Sequence, residues 1–477
     1  MRGISRRDLF GMGIGAAAAA TVAPLTFVTP AHASTTASPI DNAGDHAGSI
    51  NDAVLFLNTM MDAYATGNTI RLAQSYSDQE FAPFSPVAFT YDNAVTIHAY
   101  LVRGDEDSMN RAEVLGNGLI HAQTTNFSIA DGRFAQAYFV NVPDASGAFI
   151  TPAAFPFFFY TSAVGDQAWA GMALSQLYLR TGKTKYLTAA LSVANWIVNN
   201  TFNTLGPGGY SFGTNINQFN QSVPSGNGKS TEHNIDTFAF FTMLHELTNH
   251  GTATNGTRWK SLADHALSFV NAMYNSTDGF FFTGTNADQI TINPNPVPED
   301  CQTWSYLALL DNRFKASIDW ALANLQSTDT PAARNSNLTG NQKISGMVFD
   351  TASLSTPPSS GDDPNAVWLE GTAHTIAALV ARVQVGGDSL PKLFEDLRTA
   401  VGFLNQLQIG QKKLGLGQKV NGVVIPSGEG LQAASSLMDT GFGFSYFPNL
   451  HIGAIGWYVI AGLSGNPFQL GYGSFRR

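Results

Sequence analysis

Six polar helix openings, each followed by an apolar and charge-poor segment, recur about every 66 to 81 residues from Asp92 onward. Apolar residues in these segments keep the spacing of an α-helix. A helix that is apolar nearly all round must be surrounded by protein. The recurrence therefore predicts six buried helices with polar starting ends. The openings are Tyr91-Asp92-Asn93, Asp166-Gln167-Ala168-Trp169, Glu232-His233-Asn234-Ile235-Asp236, Glu299-Asp300-Cys301-Gln302-Thr303-Trp304, Trp368-Leu369-Glu370-Gly371-Thr372-Ala373-His374 and Asn449-Leu450-His451.

A second helix precedes each buried one, so that every repeat is one helical hairpin. The spacing predicts helices near 50–66, 91–104, 107–126, 166–181, 184–200, 232–250, 257–275, 301–311, 313–326, 366–384, 388–409 and 451–464. Six hairpins that close in a ring bring the starting ends of their inner helices to one mouth. We therefore predict an all-α toroid of about twelve helices, with minor β-hairpins in the mouth loops. One such hairpin is expected at 419–424, around an Asn-Gly turn.

The first 33 residues are predicted to be a removable export signal. Ser5-Arg6-Arg7-Asp8-Leu9-Phe10 is a twin-arginine pattern, and an apolar run and an Ala31-His32-Ala33 cleavage site follow it. Residues 34–477 then form a single catalytic barrel domain, because their polar windows recur like mouth loops instead of dividing the chain. We expect the mature protein to be secreted or periplasmic and to leave the membrane once the signal is removed.

Composition narrows the classes of partner. The formal net charge of −10 argues against nucleic acid, since phosphate binding needs clustered Lys and Arg. The single cysteine, Cys301, excludes a disulfide framework and a multi-cysteine metal site. In His245-Glu246-Leu247-Thr248-Asn249-His250 the two histidines are five residues apart, one too many for a shared zinc ion. We predict no metal and no cofactor.

The six openings quoted above resemble those of the six-hairpin, or (α/α)6-barrel, glycosidase superfamily. The resemblance spans most of the mature chain, without matching one named family. It implies a carbohydrate substrate and, for most members, hydrolysis with inversion at the anomeric carbon. Such a reaction needs one carboxylic acid to protonate the leaving oxygen and one carboxylate to activate water.

Four carboxylates are candidates for these two roles. Glu232 is our leading general acid, because it opens the densest polar cluster after a Gly- and Ser-rich loop. Asp92 and Asp166 are the leading candidates for the base, and Glu370 is a third. Glu232, Asp92 and Asp166 each also have a purely structural interpretation as a carboxylate that caps a helix N-terminus. Glu370 could instead bind a pair of sugar hydroxyls.

Further residues of the openings are candidates for holding the sugar. Tryptophans offer stacking platforms, although buried tryptophan is also common in any helical barrel. The predicted substrate-binding residues are Tyr91, Gln167, Trp169, His233, Asp236, Gln302, Trp304, Trp368, His374 and His451.

Two other reactions and a binding role stay open. Sugar epimerases on this barrel use a pair of histidines, and His233 and His451 lie at the mouth ends of predicted inner helices. A polysaccharide lyase would need a basic cleft for uronates, and Lys and Arg are sparse in the openings. A barrel that only binds carbohydrate would keep the tryptophans and lose one carboxylate. The sequence favours an exported hydrolase of a neutral oligo- or polysaccharide.

Overall fold

The computed structural model describes residues 46–65, 70–78, 86–125, 131–140, 162–216, 222–249 and 253–473. The predicted export signal, residues 1–33, lies outside the described residues. Among the described residues, no helix combines the length and the apolar character that crossing a bilayer requires.

The described part of the chain forms twelve α-helices, as predicted, with ends within a few residues of the predicted ones. They are α1 (His46–Asp62), α2 (Thr90–Arg103), α3 (Glu106–Thr125), α4 (Val164–Thr181), α5 (Thr184–Thr201), α6 (Thr231–Thr248), α7 (Ala253–Ala272), α8 (Glu299–Leu309), α9 (Lys315–Asn324), α10 (Leu369–Val385), α11 (Leu390–Lys413) and α12 (Ile452–Gly462).

The even-numbered helices form a closed inner ring. Each packs against the next along the chain, and α12 packs against α2 to complete the circle. The odd-numbered helices form the outer layer, since α3, α5, α7, α9 and α11 each pack on the inner helix that precedes them and α1 packs on α12. This arrangement is the predicted (α/α)6 toroid.

The inner helices are apolar because they have no solvent face. Every residue from Ile452 to Ala461 in α12 is buried. Hydroxyl groups are tolerated there because they bond to their own helix: Thr237 donates to the carbonyl of His233 at 2.7 Å, and Thr372 to that of Trp368 at 2.8 Å. The inner helix α12 therefore belongs to the packed core of the barrel.

Short antiparallel β-pairs lie in the loops that lead into the inner helices. They are β1 (Val87–Phe89) with β2 (Ala137–Phe139), β3 (Ser162–Ala163) with β4 (Gly213–Ile216) and β5 (Ser222–Pro224), β6 (Tyr274–Asn275) with β7 (Phe280–Phe281), β8 (Gly284–Thr285) with β9 (Ile292–Asn293), β10 (Gln326–Asp329) with β11 (Ile344–Met347), β12 (Lys419–Val420) with β13 (Val423–Val424), and β14 (Met438–Asp439) with β15 (Ser445–Tyr446). The predicted hairpin is β12–β13, and its turn residues Asn421 and Gly422 have φ of 50° and 75°.

The residue before each inner helix is in extended backbone conformation. Four of these residues form β-bridges to another loop: Ser230 to Gly284, Pro298 to Asp350, Trp368 to Met347 and Ala434, and His451 to Tyr76. The first turns of the inner helices are thus held in place by the mouth loops.

Helices α4 and α6 approach closely at Gly171. A Cβ atom at this position would lie 2.2 Å from the ring of Phe240. We expect Gly171→Ala to lower the free energy of unfolding by about 1–3 kcal/mol, because the packed ring cannot move aside without strain. Urea unfolding of the purified variant measures the change.

Gly402 provides the matched control, since a Cβ atom there meets nothing within 4 Å. It is exposed in the outer helix α11. Gly402→Ala should leave stability unchanged or raise it by roughly 0.5–1 kcal/mol, as alanine does in a helix interior. Equal effects of the two substitutions would contradict the close approach of α4 and α6.

Candidate active site

The starting ends of the inner helices surround a cavity of about 740 Å³. This volume is within the usual range of small-molecule sites. All six inner helix starts contribute to its lining. The side chains used below that line it are Tyr76, Tyr91, Asp92, Asp166, Trp169, Asn227, Lys229, Glu232, His233, Asn286, Asp300, Cys301, Trp304, Phe349, Trp368, Glu370, Phe442, Phe444, Tyr446 and His451.

The four predicted catalytic carboxylates, Asp92, Asp166, Glu232 and Glu370, therefore share one cavity. None of them is the N-cap of its helix. Asp92 and Asp166 are the third residues of α2 and α4, and Glu232 and Glu370 are the second residues of α6 and α10. The N-cap positions of these helices are taken by Phe89, Ala163, Ser230 and Trp368. The catalytic roles of the four carboxylates remain a prediction.

Glu370 is surrounded by hydrogen-bond donors. Tyr91 donates its hydroxyl hydrogen to Oε1 at 2.5 Å and itself accepts from the indole of Trp457 at 2.8 Å. His374 Nε2 lies 3.6 Å from Oε1, and His451 Nδ1 lies 3.5 Å from Oε2. Burial alone would raise the pKa of Glu370, but the nearby His374 ring, the charges of His451 and His374 and the Tyr91 hydroxyl together lower it. Glu370 is the carboxylate that the site keeps ionised.

A buried chain of groups supports Glu370 from beneath. His374 Nδ1 lies 3.2 Å from Glu299 Oε2, and Thr375 donates to Glu299 Oε1 at 2.7 Å. Burial alone would lower the pKa of His374, but hydrogen bonds to Glu299 and Glu370 and their charges raise it. His374 is fully buried and does not line the cavity. This corrects its predicted contact with substrate, and its place in the structure is that of a support for Glu370.

His451 joins two of the carboxylates. Its Nε2 lies 3.0 Å from Asp92 Oδ2, and its ring stacks on Tyr76 at 4.1 Å between centroids. In the neutral form, Nδ1 accepts from the backbone N–H of Ala454 at 3.3 Å. Burial would lower the pKa of His451, but the charge and hydrogen bond of Asp92 and the charge of Glu370 raise it. A protonated ring bonds to Asp92 and faces Glu370.

The pKa values of Asp166, Glu232 and Asp300 are raised instead. Burial, followed by the charge of Asp92, raises the pKa of Asp166 to about 8. Burial, followed by the charges of Asp300, Asp166 and Glu370, raises that of Glu232 well above its ordinary value. Burial and the charge of Glu299 raise that of Asp300 to about 7. The cavity therefore holds protonated carboxyl groups together with the ionised Glu370.

Asp300 and Tyr76 are cavity residues that the sequence reasoning did not single out. Asp300 is the second residue of α8, the position that Glu232 and Glu370 take in their helices, so comparison of the openings would have found it. Tyr76 lies outside every helix and reaches the site through its bridge to His451, which no helical pattern signals.

Gln167 and Gln302 do not line the cavity, which corrects their predicted role. The Gln302 amide accepts from the N–H of Phe281 at 2.8 Å and donates to the carbonyl oxygens of Phe281 and Pro298, both at 2.9 Å. The Gln167 amide makes the corresponding pair of bonds to Phe134, at 2.7 and 3.1 Å. Both side chains are fully buried. They fasten mouth loops to the inner helices.

The same bond pattern recurs at the fourth residue of five inner helices. Asn93 binds the N–H and carbonyl of Ala73, and Asn234 binds those of Tyr210. Thr372 accepts from the N–H of Met347 at 3.0 Å. We call Asn93, Gln167, Asn234, Gln302 and Thr372 the anchor residues. Since the acids are the second or third residues of the same helices, the anchors fix the loops directly beside them.

His233 lines the cavity, but Asp236 does not. Asp236 lies one turn deeper than Glu232 and is fully buried, so it cannot contact a substrate in the cavity directly. Burial raises the pKa of Asp236 well above its ordinary value, with the charges of Glu232 and Asp300 adding to the effect. Burial lowers the pKa of His233 to about 4, which keeps its imidazole neutral.

The predicted tryptophans lie at different depths. Trp169 and Trp304 form the floor of the cavity and pack at 5.1 Å against each other and at 5.7 and 5.8 Å against Trp457. Trp368 lies on the wall and stacks on Tyr446 at 5.6 Å. The floor tryptophans are therefore both core and cavity surface.

Among the described lining residues, Lys229 is the one Lys or Arg. Its ammonium group donates to the carbonyl oxygens of Leu205 and Gly208 at 2.6 and 2.8 Å. It is therefore not directed at a ligand. Cys301 also lines the cavity, and burial raises the pKa of its thiol well above the ordinary value, so the thiol stays protonated.

No family model and no curated protein sequence matches the chain. Solved structures with the same fold include a family 76 glycoside hydrolase from a bovine Bacteroides thetaiotaomicron strain, with a TM-score of 0.54 and 11% identity over 87% of this chain and 77% of that one. A family 76 alpha-mannanase from Bacteroides thetaiotaomicron matches with a TM-score of 0.53 and 12% identity over 88% and 96% of the two chains. D-mannose isomerase matches with a TM-score of 0.55 and 12% identity over 89% and 98%. The (α/α)6-barrel fold is thus established, and at such identity it carries no activity with it.

Replacement of Gln302 tests its role as an anchor. Gln302→Met removes the partners of a buried N–H and carbonyl at Phe281, so we expect the free energy of unfolding to fall by about 1–3 kcal/mol. Gln326→Met, at an exposed position outside the cavity, should change it by less than roughly 0.5 kcal/mol. An unchanged stability of the Gln302 variant, measured by urea unfolding, would contradict the anchoring role.

The raised pKa of Asp166 predicts a pH-dependent stability. Because the folded state binds the proton more tightly than the unfolded state does, the contribution of Asp166 to stability falls as the pH rises from about 4 to about 8. Asp166→Asn removes this loss. Its free energy of unfolding relative to the parent should rise across that window by at least about 1 kcal/mol, the equivalent of roughly one pKa unit.

Asp105 provides a control of opposite sign. Burial would raise its pKa, but bonds from Ser108 and Arg103 lower it overall. The Asp105 carboxylate therefore stabilises the folded state at a pH above the ordinary carboxyl pKa. This contribution is lost as the pH falls through the lowered pKa of Asp105. Asp105→Asn should lower stability at neutral pH, with the difference shrinking in acid. If both variants showed the same pH trend, the assigned pKa shift of Asp166 would be wrong.

Proposed function

We propose that the protein is a glycoside hydrolase that cleaves a neutral oligo- or polysaccharide. The feature that carries the proposal is the grouping of Asp166, Glu232 and Glu370 in one cavity, where neighbouring groups lower the pKa of Glu370 and burial raises those of Asp166 and Glu232. Glycosidic bond cleavage needs this division of protonation states at near-neutral pH. The shared (α/α)6 fold is compatible with it, since both glycosidases and an isomerase use that fold.

In the proposed reaction Glu232 is the general acid. Its proton passes to the glycosidic oxygen as the bond from that oxygen to the anomeric carbon breaks. Water attacks the anomeric carbon from the opposite face, and Glu370 takes the proton that the water loses. This single displacement inverts the anomeric configuration.

The environments of the base candidates favour Glu370. Asp166, with a pKa of about 8, is protonated at neutral pH and is a second proton donor in place of a base. Asp92 is bound to His451 and acts through that ring. Glu370 receives donors from Tyr91, His374 and His451, which keeps it ionised and oriented.

The charge of the cavity favours a neutral sugar. The ammonium group of Lys229 is bound to backbone carbonyls and offers nothing to a uronate carboxylate. A lyase acting on uronates is therefore disfavoured. Tryptophan and tyrosine rings on the floor and wall suit the apolar faces of neutral pyranoses.

Glu232→Gln and Glu370→Gln test the assignment. Each substitution removes a proton donor or acceptor, and we expect kcat to fall by about 10²–10⁴-fold with little change in fold. Glu395→Gln, on the exposed side of α11, should keep full activity. Full activity of the Glu232 variant on the true substrate would refute its role. The assay is a glycan panel with reducing ends and product anomer as readouts.

The pH profile gives an independent check. Activity should rise as Glu370 ionises, at a pH below the ordinary carboxyl value, and fall as Glu232 loses its proton well above that value. In the Glu232→Gln variant the alkaline limb should disappear from the residual rate. If the alkaline limb persisted in this variant, Glu232 would not be the general acid.

The second candidate is a sugar isomerase or epimerase. It is favoured by His233 and His451, which line the cavity together, because these reactions move a proton beside a carbonyl group. Isomerised free sugar without new reducing ends would identify this reaction. Tight binding of a glycan without turnover would identify a binding protein instead.

Export by the twin-arginine pathway belongs to the same proposal. It rests on residues 1–33, and N-terminal sequencing of protein recovered outside the cytoplasm tests it. A start at Ser34 supports cleavage after Ala33. An intact Met1 in the exported fraction overturns it.

A further inference from the structure

A hairpin on the rim of the cavity presents aromatic rings to solvent. Strands β14 and β15 pair antiparallel, and residues 438–446, here called the rim hairpin, turn between them. Phe442 and Phe444 are 46% and 37% exposed and line the cavity. Exposed apolar rings beside a cavity mark a binding surface more often than scattered surface residues do.

The rim hairpin is held in shape by its own bonds. The hydroxyl of Thr440 donates to the carbonyl of Phe444 at 2.6 Å, and the backbone N–H of Gly441 donates to Asp439 at 2.9 Å. Gly441 and Gly443, on either side of Phe442, have φ of 68° and 87°, which other residues adopt only with strain. The exposure of Phe442 therefore follows from an ordered turn.

Aromatic rings continue from this turn to the wall of the cavity. Phe444 meets Tyr446 at 5.9 Å, and Tyr446 stacks on Trp368 at 5.6 Å with an interplanar angle of 25°. Phe442 meets Phe349 at 6.1 Å, and Phe349 meets Tyr446 at 5.5 Å. Trp368 is two residues before Glu370. The rings thus form a path from the solvent edge to Trp368 on the cavity wall.

Polar amides line other parts of the same cavity. Asn227 and Asn286 are both exposed. An amide side chain offers two donors and an acceptor to hydroxyl groups. Apolar rings together with adaptable amides match a pyranose, which has apolar C–H faces and a rim of hydroxyls.

We propose that the rim hairpin forms an outer sugar subsite, in which Phe442 stacks on a sugar unit beyond those that flank the cleaved bond. The substrate is then a chain of several neutral sugars instead of a disaccharide. The position of the subsite relative to the cleaved bond rests on the proposed hydrolase function. The existence of the subsite rests on the rim hairpin alone.

Phe442→Ala and the double variant Phe442→Ala/Phe444→Ala test the subsite on oligosaccharides of increasing length from the substrate that the panel identifies. We expect kcat/KM to fall roughly 5- to 50-fold on the longer chains, the range for loss of an aromatic anchor, and to stay unchanged on the shortest cleaved one. The loss should appear mainly in KM, because the ring is remote from the bond that breaks. Phe442→Tyr keeps the ring and should restore the longer-chain rates.

Phe394→Ala is the matched control, since Phe394 is 55% exposed on α11 and does not line the cavity. It should leave the rates on all chain lengths unchanged. An equal loss on every chain length, or no loss on any, would overturn the outer subsite.

Binding measurements separate this proposal from the proposed function. Calorimetric affinities of the Glu232→Gln protein for the same oligosaccharides should increase with chain length, and Phe442→Ala should abolish that increase. If the parent hydrolyses nothing while its affinity still increases with length through Phe442, the hydrolase function fails and the subsite stands. If hydrolysis occurs and affinity is independent of Phe442, the subsite fails and the function stands.

Discussion

The site depends on one repeated interaction, in which the fourth residue of an inner helix bonds to the backbone of a mouth loop. Asn93, Gln167, Asn234 and Gln302 each satisfy both the N–H and the carbonyl of one loop residue, and Thr372 satisfies an N–H. These backbone groups are buried away from water, so leaving them without a partner would cost far more than a surface bond contributes. The anchors therefore fix loop and helix start as one unit, and the acids one or two positions earlier are fixed with them.

Burial then gives chemically similar carboxyls different protonation states. Asp166, Glu232 and Asp300 are removed from water without enough donors, so their neutral forms are favoured. Glu370 is less exposed than Asp166 and Glu232, but Tyr91, His374 and His451 together reverse the effect of burial. Such burial costs stability, as is usual at sites where function sets the requirement. The difference between the acids comes from their neighbours and is independent of the carboxyl group itself.

The sequence predicted the ring because its signal is periodic. Helical spacing and the recurrence of polar openings located all twelve described helices and the shared mouth. The recurrence of the openings also grouped Asp92, Asp166, Glu232 and Glu370 as candidates for one site. The structure places all four in one cavity. Within an opening, however, adjacent polar residues point in different directions, and the sequence cannot tell a ligand-facing acid from an anchoring amide. Gln167 and Gln302 were assigned to the substrate for this reason. Tyr76 and the donors around Glu370 depend on contacts between distant parts of the chain, so no local pattern shows them.

The anchors have a consequence for how this barrel can diversify. Each of the five loops that they hold is secured to the inner helix that follows it. Insertions or exchanges between the anchored points would reshape the rim while the helices beneath keep their places. Each mouth loop can therefore change independently of the others. A new specificity can arise in one loop while the inner helices and their carboxylates keep their positions.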